Sequence, residues 1–88
     1  MGGVAYNIYK NPEHNVEIIV HVDEALGESK RSDVVDVLEG IDGVSSAEFC
    51  PLRYHLILVN YNRDILNSQD VLVGVVSQNV HAELIGPV

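Results

Sequence analysis

At 88 residues the chain has room for one modest core and none for an active-site domain beside a scaffold. Hydrophobic residues make up 47% and charged residues 20%, a balance that argues against disorder over most of the length. Thirteen acidic residues against five basic ones give a net charge of −8, so phosphate backbones are repelled and neither nucleic acid nor an anionic membrane surface is an expected partner.

No apolar run approaches the ~20 residues of a membrane span, and MGGVAYNIYK lacks the basic-then-apolar layout of a signal peptide. The expected compartment is the cytoplasm. A single cysteine, Cys50, rules out an internal disulfide and any thiol-only metal or redox site within one chain.

Residues 1–15, with two glycines, a proline and scattered polar residues, read as an N-terminal arm, and residues 16–88 as the folded domain. Val16 to Val22 alternates, with Val16, Ile18, Val20 and Val22 on one face and Glu17, Ile19 and His21 on the other, which predicts a first strand. After DEALGES, Val34, Val37, Leu38 and Ile41 recur at helical spacing, predicting a helix from Ser29 to Glu39 that ends near Gly40.

An Asp42-Gly43 turn leads to a second strand, Val44 to Cys50, stopped by Pro51, which has no ladder hydrogen bond to donate. Tyr54 to Tyr61, nearly all aromatic, branched or apolar, predicts a third strand. Ser68 is the expected N-cap of a second helix through Gln78 with Val71, Leu72, Val75 and Val76 inward, and Asn79 tolerates the left-handed turn before a last strand, Val80 to Ile85. Gly74 and the valines leave that helix dependent on packing.

Strand, helix, strand, strand, helix, strand in one small domain implies an α+β, ferredoxin-like βαββαβ sandwich: an antiparallel sheet of order 4-1-3-2 with both helices on one face. Ile18, Val20, Val34, Leu38, Ile41, Phe49, Ile57, Val59, Val75 and Ala82 are the expected core.

From Val16 to Pro87 the chain resembles the heavy-metal-associated, metallochaperone-like family. VVDVLEGIDGV is similar to that family's first helix and the Gly-Val opening strand two; VNYNRDILNSQDVLVGVVSQNVHAELIG is similar to its third strand, turn, second helix and last strand. The resemblance implies a thiolate pair for a soft cation, but family spacing puts those positions on Gly27 and Lys30. Glycine has no ligand atom and lysine is a positive charge, so the usual copper(I) site is missing.

Other ligands are His14, His21, His55, His81 and Cys50. Parity puts His21, His81 and Cys50 on the sheet face away from the helices, and His55 toward the core at its edge. With the last strand antiparallel to the first, His81 is expected opposite His21, with Glu83 and Glu17 along the same face, a set suited to zinc, copper(II) or nickel. The plain alternative is that these histidines are solvated surface residues. Ile19, Leu56, Leu58 and Ile85 share the open face as an apolar patch, implying a homo-oligomer or protein partner there, or cover by the 1–15 arm.

Lys30 and Arg31, in the first turn of the first helix, oppose its dipole and hint at an anion or acidic partner at that end. No Ser/His/Asp order, phosphate-cradling loop or spaced carboxylate pair indicates catalysis. The leading function is a non-catalytic binding or interaction module without the thiol site. A transition-metal protein using imidazole and carboxylate is the second reading, and a ferredoxin-like enzyme or small-ligand sensor the third.

Overall fold

The computed structural model describes residues 15–87, so the 1–15 arm lies, but for Asn15, outside the described residues. Six elements follow in the expected order: β1 (Asn15–Val22), α1 (Glu28–Glu39), β2 (Val44–Cys50), β3 (Arg53–Asn62), α2 (Ser68–Val76) and β4 (Ala82–Pro87). All neighbouring strands run antiparallel in one sheet of order β2-β3-β1-β4, the 4-1-3-2 arrangement read from the other edge. No helix among the described residues is long and apolar enough to cross a membrane.

Period-two strands and period-3.6 helices agree on one buried side. Ile18, Val20, Val34, Leu38, Ile57, Val59 and Val75 are core, joined by Val22, Ala47, Tyr61, Leu66, Val71 and Val80. Ile41, Phe49 and Ala82 are half-buried and packed against that cluster. Val37 and Val76, expected inward, stand at the rim instead, 36% and 46% exposed. Each follows the helical spacing but sits on the flank of its stripe, where a helix resting on a sheet no longer meets it.

Two glycines are fixed by geometry. Gly43, at φ 100°, turns the chain into β2 where a Cβ would stand 2.8 Å from Ile65 Cγ2 and closer still to Leu66. At Gly74 a Cβ would lie 2.9 Å from Ile41 Cδ1 and 3.3 Å from Leu38 Cδ2, so the weak helix former in α2 permits close approach of the two helices. Asn67, rather than Ser68, caps α2: its side chain accepts from the Asp70 N–H while the Asp70 carboxylate accepts from the Asn67 N–H, a reciprocal capping box. The helix ends at Val76, two residues early, and Asn79 takes the left-handed conformation (φ 65°).

Candidate functional site

The connections after β1, between β2 and β3, and before β4 share one end of the sheet, because β1 and β2 run toward it and β3 and β4 start from it. His21, His55, His81, Asp23, Glu24, Arg31 and Tyr54 therefore gather there from segments far apart in sequence.

The expected pairing of His21 with His81 is not what the register gives. His21 pairs with Glu83 on β4 and with Leu56 on β3, and Val22 pairs with Ala82. His81 therefore precedes β4, where its carbonyl accepts from the Asp23 N–H at 2.8 Å. Its ring turns to Glu24, with Nδ1 2.6 Å from Oε2, and its N–H donates to the same carboxylate at 2.9 and 3.2 Å. That carboxylate holds the His81 imidazole above its ordinary pKa, chiefly through the side-chain hydrogen bond, and the same bond holds Glu24 below its own. Among the described residues no three His, Cys, Asp or Glu side chains converge as a metal-binding group.

His55 also departs from expectation. The last β1–β3 pair is His21 with Leu56, so His55 lies just past the ladder and is exposed rather than turned into the core. Its Nδ1 donates to the Val22 carbonyl at 2.8 Å, since a carbonyl can only accept. Its ring lies 5.9 Å from that of His21, 17° from parallel. His21 Nδ1 is closed off from solvent, 3.3 Å from Asp23 Oδ1 without forming a hydrogen bond. His21, Leu52, Arg53, Tyr54, His55 and Leu56 line a shallow groove of about 400 Å³. Parity missed this pair because the alternation rule holds only where the ladder continues.

Lys30 and Arg31 are not both solvated first-turn charges. α1 begins at Glu28, and Arg31 lies with its guanidinium 3.9 Å from the Tyr54 ring centre while donating to the Leu26 carbonyl at 2.7 Å. Gly27 is the N-cap of that helix, with no side-chain cap and open space around it. Gly27 and Lys30 supply no ligand to a soft cation, and Cys50 stands at the end of the edge strand β2, so the residues present do not fit the copper(I) site that the resemblance implies.

On the face without helices, Ile19 pairs with Leu58 in the neighbouring strand, and Leu56 follows beside His21. A bulge between Ile19 and Val20 leaves Ile85 as the extra residue of β4, 53% exposed; Ile19, Leu56 and Leu58 are half-buried.

No protein-family model and no curated protein matches the chain. Solved structures do. A copper-binding domain from HMA7, a P-type ATPase, is 18% identical with a TM-score of 0.75, covering 82% of this chain and 96% of that one. The N-terminal domain of a potential copper-translocating P-type ATPase from Bacillus subtilis is 16% identical with a TM-score of 0.75, covering 84% and 91%. The first domain of the human copper chaperone for SOD1 is 24% identical with a TM-score of 0.70, covering 84% and 97%. At these identities the likeness establishes the fold, and the chain has that of the heavy-metal-associated domains.

Proposed function

We propose that this chain is a non-catalytic interaction module built on the heavy-metal-associated fold, with its open sheet face, rather than a thiol loop, as the binding surface. The observation that carries this reading is the pairing of Ile19 with Leu58, with Leu56 next along β3, on the side of the sheet opposite the core residues Ile18, Val20, Ile57 and Val59. Apolar side chains grouped on the open face of so small a domain are the usual mark of a protein contact, and the exposed Ile85, expected on the same face from sequence, would extend the group. The lack of ligand atoms at Gly27 and Lys30 supports the same reading, since it leaves thiolate-to-thiolate metal transfer without its chemistry.

The simplest partner is a second copy of the chain, face to face. Sedimentation of the full chain over a wide concentration range should show a monomer–dimer equilibrium, and Leu58→Lys, which puts a charge into the centre of the patch, should shift it to monomer with the melting temperature changed by only a few degrees. A parent that stays monomeric at high concentration would sink self-association, and binding of a protein partner that Leu58→Lys does not weaken would sink the surface itself.

A further inference from the structure

We infer that the groove at the β2–β3 turn is a docking site for a short acidic peptide, one that presents a carboxylate beside an apolar side chain. The inference concerns a different surface from the open sheet face and stands without that reading.

The turn itself is unusual. Cys50 pairs with Arg53, so β2 and β3 are joined by Pro51-Leu52, where a hairpin ordinarily carries glycine, asparagine or aspartate. Leu52 is 92% exposed and Tyr54 50%, and neither belongs to the core or packs against it. A single exposed leucine carries no meaning. Here it borders, with Tyr54 and Leu56, one groove of about 400 Å³, a volume in the range of ligand sites.

The lining sets the sign of the ligand. Its one full charge is the exposed guanidinium of Arg53, and among the described residues no carboxylate pairs with it. Arg31 adds a second cation behind the Tyr54 ring, 3.9 Å from its centre, held there by the Leu26 carbonyl. Two of the five basic residues in a chain of net charge −8 thus meet at this groove. The carboxylates of this end lie outside the lining: Glu24 is taken up by His81, and Asp23 stands 3.3 Å from His21 Nδ1. A planar guanidinium takes a carboxylate through two parallel hydrogen bonds. Repulsion from the acidic remainder of the chain is screened beyond about 8 Å at physiological salt, so the local cations decide.

The remaining groups suit a peptide better than a bare anion. With Nδ1 donating to the Val22 carbonyl, the neutral His55 ring offers Nε2 as an acceptor for a peptide N–H. Leu52, Leu56 and Tyr54 offer apolar surface to a neighbouring side chain. Tyr54 is braced by Arg31 and His55 by Val22, so docking immobilises few side chains that are not already held. Tyrosine and arginine are also the types on which protein contacts most often turn.

The test pans a displayed library of random short peptides against the full chain at physiological salt. Selected sequences are then measured as free peptides by fluorescence anisotropy with the parent, Leu52→Ser, Arg53→Glu and Arg63→Glu, melting temperatures checking the fold. We expect the selected peptides to carry aspartate or glutamate beside an aliphatic or aromatic residue. Their affinity should fall at least about tenfold in Leu52→Ser and Arg53→Glu and stay parental in Arg63→Glu, which makes the same change of net charge at the other end of β3. Panning against Arg53→Glu should return basic peptides instead. The inference is overturned by a library that yields no binder or no excess of acidic residues, by selected peptides that bind Arg53→Glu as they bind the parent, or by equal losses in Arg53→Glu and Arg63→Glu, which would reduce the effect to bulk charge.

Discussion

Glu24 and His81 show how a side chain pair can matter at the surface. They lie 57 residues apart, and the carboxylate meets both the ring and the backbone N–H of His81. His81, raised above its ordinary pKa of about 6.5, contributes stability that is fully present below that value and is lost as pH rises through the folded-state value. Glu24, held below its ordinary value of about 4.3, contributes stability present above that value and lost as pH falls through the folded one. Their joint contribution is therefore greatest between these limits, near pH 5–6. Melting temperature followed against pH should fall from this region toward pH 8 more steeply in the parent than in His81→Ala; equal slopes would show that the contact adds nothing in solution. The pair was within reach of the sequence, because an antiparallel β1–β4 seam must bring residues following β1 beside those preceding β4. Fixing which of Asp23, Glu24, His21 or Glu83 meets His81 required the register, which two-residue periodicity cannot supply.

At the scale of elements, α2 is the one whose local signals are weakest: valine-rich, interrupted by Gly74 and only 9 residues long. Its start rests on the Asn67–Asp70 capping box, so Asn67→Ala should cost about 1 kcal/mol in urea unfolding, whereas Ser68→Ala, one residue inside the helix, should cost much less. Equal losses would return the cap to Ser68. Both Asn67 and Ser68 are good caps by type, which is why sequence places the boundary only to within a residue. The strands were more legible. β1 and β3 alternate cleanly enough to assign Ile18, Val20, Ile57 and Val59 to the core and Ile19 and Leu58 to the other face. Alternation failed at His55, which lies within β3 but past its last pair with β1, where the ring follows its hydrogen bond to the Val22 carbonyl.

For the molecule as a whole, element order and strand order were legible because only a few right-handed ways exist to close two βαβ units of this length over one core. The groove was not, since it is lined by His21 at the end of β1 and by residues 52–56 around the β2–β3 turn, most of them beyond the last β1–β3 pair, where periodicity gives no direction. The fold also makes the missing thiols testable in reverse. A Cβ at Gly27 meets nothing within 4 Å and the residue's φ of −73° suits any side chain, so Gly27→Cys with Lys30→Cys should be accommodated. The double variant should bind copper(I) with an affinity the parent lacks, measured by competition with a chromogenic chelator. If it does not, Gly27 and Lys30 are not the counterparts of the thiol positions.

The β1–β4 seam has a kinetic side. β2 and β3 are joined by a turn and can zip locally, but Val20 with Leu84 and Val22 with Ala82 join the two ends of the described chain. Pairing them means closing a loop of nearly all the described residues, an entropic step that contributes little until the rest of the sheet is in place. The seam should thus zip after the rate-limiting barrier has been crossed. Trimming Leu84→Ala should accelerate unfolding while leaving the refolding limb of the chevron almost where it was, so that the edge strand β4 acts as the fastening that sets how long the native state lasts.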